Sequence, residues 1–118
     1  MVQDMGRGQR QVGETDDPVL AEIVRRLAAA YEPERIYLFG SRARGDTGPD
    51  SDYDLLLVVP VTAAPERQRS RLAYQVLWEV GAAADVLVWT REAFERRRHL
   101  RASLPATVLR EGRLLYAA

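Results

Sequence analysis

A mixed α/β (α+β) domain, with a small mixed sheet flanked by helices, is the fold class this 118-residue chain predicts. Three observations carry the expectation. Short apolar and β-branched runs alternate with segments of helical periodicity. Gly and Pro punctuate the joints between them. The composition, 47% hydrophobic and 29% charged, excludes disorder of the whole chain.

The elements follow in order. Residues 1–15 are polar and Gly-rich without period, and are expected to form a disordered N-terminal arm, leaving 16–118 as the folded domain. Asp16, Asp17 and Pro18 signal a helix start, an acidic cap followed by Pro in the first turn. Val19, Leu20, Ile23, Val24, Leu27, Ala28 and Tyr31 give that helix one apolar side, and Pro33 lies past its end. Arg35 to Phe39 is β-branched and aromatic, hence a short strand. The loop GSRARGDTGPDS comes next. Asp52 to Val59 then reads as a buried strand headed by acids. A long helix is expected from Glu66 to about Ala82, with Leu72, Ala73, Val76, Leu77 and Val80 as its stripe and Tyr74 and Trp78 on its flank. Asp85 to Trp89 is a third strand, again with the acid first. Thr90 caps a helix REAFERRRHL, Ser103 starts another that ends at Gly112, and Arg113 to Tyr116 closes as a short strand. Trp89 and Tyr116 read as core.

Composition narrows the chemistry. The chain is one domain, too small for a polymerase with separate palm, fingers and thumb. Seventeen basic and seventeen acidic residues cancel, so no global basic field draws in nucleic acid. Every basic residue is Arg, which excludes a P-loop or Schiff-base lysine. With no Cys there is no disulfide, thiolate zinc site or thiol nucleophile, and a single histidine, His99, is too little for an imidazole metal cage. No apolar stretch approaches a membrane span, and MVQDMGRGQRQ has no signal-peptide core; a cytoplasmic protein is the expectation.

Three aspartates stand where two strongly apolar strands begin, although Asp is depleted from strands. Asp52 and Asp54 point to one face of their strand and Tyr53 to the other. Their Cα atoms are about 6.6 Å apart, two strand steps. Carboxylates at that spacing can converge on hard cations such as Mg²⁺, which keeps company with phosphate oxygens. Asp85, heading another strand, can supply a third. Each feature alone also fits solvated acids at loop-to-strand junctions. Gly40-Ser41 directly follows the first strand. Gly permits a close backbone approach, and a helix starting at Ser41 would aim free N–H groups at an anion. Arg42 and Arg44 can neutralise phosphate where other enzymes use Lys. By itself strand-Gly-Ser-loop is simply a turn. Together, the Gly-Ser pair, ten intervening residues, Asp-Tyr-Asp, an apolar run, a helix and a third acid on a later strand are mutually consistent.

The segment FGSRARGDTGPDSDYDLLLVV resembles the signature of the minimal nucleotidyltransferases (MNT) of the DNA polymerase beta superfamily, a likeness that spans about Val19 to Tyr116. The resemblance implies the DNA polymerase beta-like nucleotidyltransferase fold. Minimal members are often the antitoxin half of HEPN/MNT toxin–antitoxin pairs, and some transfer AMP from ATP to a tyrosine of the HEPN toxin. Carried over by position, it implies that Gly40 and Ser41 hold the triphosphate, with Arg44 as a phosphate partner. It also implies that Asp52 and Asp54 bind two Mg²⁺ ions, while Asp85 completes one metal site and helps activate the acceptor. The expected function is Mg²⁺-dependent transfer of AMP to a partner's tyrosine. The rival reading is an antitoxin that silences its toxin by binding alone. A third reading, nucleic-acid binding through the Arg96 to Arg101 cluster, is opposed by the zero net charge. That cluster, like His99, fits a solvated helix face.

Overall fold

Residues 11–12, 15–45, 48 and 52–118 are described by a computed structural model. The described residues form five strands and five α-helices: β1 (Gln11–Val12), α1 (Pro18–Tyr31), β2 (Arg35–Phe39), α2 (Ser41–Arg44), β3 (Tyr53–Val59), α3 (Arg71–Leu77), β4 (Ala84–Thr90), α4 (Arg91–Arg97), α5 (Leu104–Glu111) and β5 (Arg113–Ala117). The sheet order is β1-β5-β2-β3-β4, so the sheet is mixed as expected. β2 is antiparallel to both β3 and β5, while β3 and β4 run parallel. Parallel neighbours need a crossover, and α3 supplies it.

Helices cover both faces. Tyr53, Leu55, Leu57 and Val59 of β3 belong to the larger core, with Leu20, Ile23, Val24, Leu27 and Tyr31 of α1 and Ala73 and Leu77 of α3. The alternate residues Leu56 and Val58 join Tyr37, Phe94 of α4 and Val108 of α5 in a smaller core. The Tyr37 and Phe94 rings stack there at 5.9 Å. Strands apolar on both faces are what a sheet covered twice requires.

The helix starts follow their caps. Asp17 accepts from the Val19 and Leu20 N–H groups ahead of Pro18. Thr90 and Ser103 cap α4 and α5 in the same way, and α5 stops at Gly112. Trp89 is partly buried against the smaller core, and Tyr116 is buried.

Three expectations change, the simplest being that the helix expected over REAFERRRHL stops at Arg97 and passes into a turn at 98–99. The long helix from Glu66 to Ala82 is three pieces: a 3-10 turn over Pro65–Gln68, α3, and a 3-10 turn over Trp78–Val80. Arg69 is extended between the first two. The cause is Tyr31, whose buried hydroxyl donates to the Arg69 carbonyl and accepts from the Ala73 N–H. It thereby takes up the Arg69 carbonyl, which a continuous helix would pair with the Ala73 N–H, while that N–H is shared between Tyr31 and the Ser70 carbonyl. At the N-terminus, the expected loose arm over 1–15 lies mostly outside the described residues. Within it, Gln11 and Val12 pair antiparallel with β5. Part of the GSRARGDTGPDS loop, residues 46, 47 and 49–51, also lies outside the described residues.

Candidate active site

The acid row is set by backbone pairing. Asp54 and Asp85 are register partners on parallel β3 and β4, so their side chains leave the same face as lateral neighbours. Asp52 stands just before β3, exposed, and acts electrostatically on Asp54. Burial and the charges of Asp85 and Asp52 push the Asp54 carboxyl above its ordinary value, while Arg44 opposes them. Arg44 therefore lies within electrostatic reach of the acids, on the short helix after Gly40.

Gly40 touches this row directly. It has φ 75° and ψ −157°, a conformation essentially reserved for glycine. A Cβ there would fall 2.2 Å from Asp54 Oδ2. The Gly-Ser turn and the acids thus share one end of the sheet, with Ser41 opening α2.

Tyr53, between the two Asp residues, faces the other way and ties three elements together. Its hydroxyl donates to Asp17 Oδ2 at 2.6 Å, joining β3 to the start of α1. The Arg42 guanidinium lies 3.9 Å from its ring centroid, joining β3 to α2. Arg42 thus packs on Tyr53, whereas Arg44 acts on the acid row. For Asp17, burial works against the charge. The bonds from Tyr53, Leu20 and Val19, together with Arg42, outweigh it and hold the carboxyl below its ordinary value. Sequence reasoning singled out Asp17 as a helix cap and missed this brace. The signal for it is the aromatic residue inside Asp-x-Asp, which must point into the core.

Tyr74 of α3 reaches the row from the sheet edge. Its hydroxyl donates to Asp85 Oδ1 at 3.3 Å. Desolvation and the Asp85 charge raise its pKa, so the hydroxyl stays protonated at neutral pH. Beside it, Leu77, Trp78, Gly81 and Ala82 to Ala84 line a cleft of about 400 Å³. Trp78 is 84% exposed there. His99 and the Arg96 to Arg98 side chains are exposed on and after α4, which leaves the acid row at the opposite end of β4.

The donor set fits a hard divalent cation: oxygen ligands only, with like charges crowded enough to push Asp54 up. Among the described residues no three acidic or imidazole groups close into a ready cage. Mg²⁺ binds through one or two carboxylates and completes its shell with phosphate oxygens and water, and Asp54 beside Asp85 offers such a pair.

Comparison with known proteins identifies the family. A family model described as a nucleotidyltransferase domain matches residues 20–115. A protein of Methanocaldococcus jannaschii that carries the name "Putative protein adenylyltransferase MJ0604" is 32% identical over 103 residues, 86% of this chain and 98% of that one. A solved toxin–antitoxin complex with AMP-PNP contains a chain that superposes with TM-score 0.54 at 20% identity, covering 82% of this chain and 73% of that one. A mutant of the toxin–antitoxin pair MntA-HpeT gives 0.56 at 19% identity, covering 83% and 73%. A structure described as a putative minimal nucleotidyltransferase gives 0.52 at 27% identity, covering 84% and 97%. Among the described residues, no helix is long and apolar enough to cross a membrane.

Proposed function

This chain belongs to the nucleotidyltransferase domain family, and we propose that it transfers AMP from ATP to a tyrosine hydroxyl of a partner HEPN toxin, acting as the antitoxin. The observation that carries the reading is the Asp54–Asp85 pair on parallel strands with Gly40 packed against Asp54. Relatives bearing the words adenylyltransferase and toxin–antitoxin support the choice of nucleotide and partner.

In this mechanism Gly40 lets the triphosphate approach the backbone, Ser41 adds a hydroxyl donor, and Arg44 neutralises phosphate charge. Asp52 and Asp54, with Asp85, would hold two Mg²⁺ ions, which supply charge neutralisation at the α-phosphate and leaving oxygen. Asp85 also orients the acceptor hydroxyl and takes its proton as that oxygen attacks the α-phosphorus and pyrophosphate departs. Positioning and charge carry most of the rate in phosphoryl transfer, which suits a site without Lys or Cys.

The test is incubation with Mg²⁺, each labelled nucleoside triphosphate and the product of the neighbouring gene, followed by intact-mass analysis. An adenylyl adduct on a partner tyrosine, with inhibition that outlasts removal of this chain, is expected. Inhibition that vanishes on removal, without added mass, assigns the protein to silencing by docking alone. The Asp52→Ala and Asp54→Ala variants are expected to abolish transfer with little loss of fold. Retained transfer in both removes the acid clamp.

A further inference from the structure

The phenol of Tyr74 stands against the acid row, where the reading above puts an acceptor hydroxyl. It donates to Asp85 Oδ1 at 3.3 Å, and Asp85 lies laterally beside Asp54. The other tyrosines are differently engaged. The Tyr31 hydroxyl binds the backbone of Arg69 and Ala73, Tyr53 binds Asp17, and Tyr37 accepts from Arg35. Tyr116 is buried on β5. Tyr74 alone among the five places its hydroxyl on a carboxylate of the acid row. It is also 50% exposed, so a bulky group added at its oxygen has room.

From this placement we propose that Tyr74 is a modification site: the chain adenylylates its own Tyr74 hydroxyl when no partner hydroxyl fills the acceptor position. The inference rests on the nucleotidyl-transfer reading above. Tyr74 Oη attacks the α-phosphorus of a magnesium-bound ATP. The bond from that phosphorus to the bridging oxygen breaks, and its electron pair leaves with pyrophosphate. The phenolic proton passes to Asp85. The products are O-adenylyl-Tyr74 and pyrophosphate. The nucleotide then sits on the acceptor position itself, so the modified chain is closed to external hydroxyls.

The experiment incubates the full chain, without partner, with Mg²⁺ and ATP, and reads intact mass and the modified peptide. One adenylyl group on Tyr74 is expected, and none in Tyr74→Phe. A second readout needs no turnover. With Mn²⁺ and a non-cleavable α,β-methylene analogue of ATP bound, the ring signals of labelled Tyr74 are expected to broaden strongly in the NMR spectrum. An unmodified wild-type chain, an adduct at another residue, or sharp Tyr74 signals in the loaded protein overturns the proposal. A parallel reaction containing the neighbouring gene product separates the two readings. Transfer to that partner, with no Tyr74 adduct when the chain is incubated alone, overturns only self-modification, whereas no transfer in either reaction overturns both.

Discussion

Gly40 and Asp54 constrain each other at the level of single atoms. Any side chain at position 40 meets the Asp54 carboxylate and must also adopt a backbone region costing about 1–3 kcal/mol. Gly40→Ala is therefore expected to lower stability by roughly that amount and to displace the Asp54 carboxyl; chemical denaturation reads the first effect and loss of nucleotidyl transfer the second. Asp17 behaves differently, because its charge is satisfied. Asp17→Ala removes a helix cap and the acceptor for Tyr53, and is expected to cost about 1–2 kcal/mol. Since the folded state holds this carboxyl below its ordinary 3.8, its contribution is present above that pH and is lost as pH falls through the lower folded value. Melting curves recorded down this acid limb should drop less steeply for Asp17→Asn, which keeps the cap without the charge. That Asp52, Asp54 and Asp85 belong together was an expectation from the joint pattern, since each acid alone also fits a solvated strand start; the register that sets Asp54 beside Asp85 comes from strand pairing. Tyr53 and Tyr74 were less legible. Whether a tyrosine hydroxyl ends on a carboxylate depends on distances between elements, and spacing along the chain does not encode those.

Elements set by local signals begin within a residue or two of their sequence reading, although α4 ends at Arg97 and not at Leu100. Caps at Asp17, Thr90 and Ser103, and the continuous apolar run of β3, act over a few residues and need no tertiary knowledge. The segment from Glu66 to Ala82 was misread because its apolar stripe is real while its continuity is not. A hydroxyl more than thirty positions upstream decides where α3 begins. Tyr31→Phe keeps the ring in the core and removes both bonds. It is expected to cost about 1–3 kcal/mol, measured by denaturant midpoint, and hydrogen exchange should rise first at the Ala73 amide. The strand at Gln11–Val12 was likewise hidden, since its pairing with β5 draws on the far end of the chain.

Across the whole molecule, one edge strand borders both the acid row and an open apolar cleft. β4 ends the sheet, Asp85 is near its start, and Trp78 stands almost fully exposed over the cleft leading to it. An exposed indole beside a site proposed to act on a partner is suited to anchor that partner. Trp78→Arg is expected to change folding stability by no more than about 0.5 kcal/mol. Titration calorimetry with the partner should show weakened association, and unchanged affinity would exclude the cleft from the interface. The fold class was legible from alternating patterns. The strand order was not, because which edge β4 joins depends on the crossover.

That crossover also governs timing. Parallel β4 can align with β3 only after the intervening polypeptide has traversed the sheet, and such long-range pairing is slow compared with helix formation. During synthesis, a nascent chain leaving the ribosome holds Asp54 without its neighbour until the stretch ending at Thr90 has emerged and docked. On the proposed mechanism the protein is thus born chemically silent, since Asp54 and Asp85 meet only when that pairing is made.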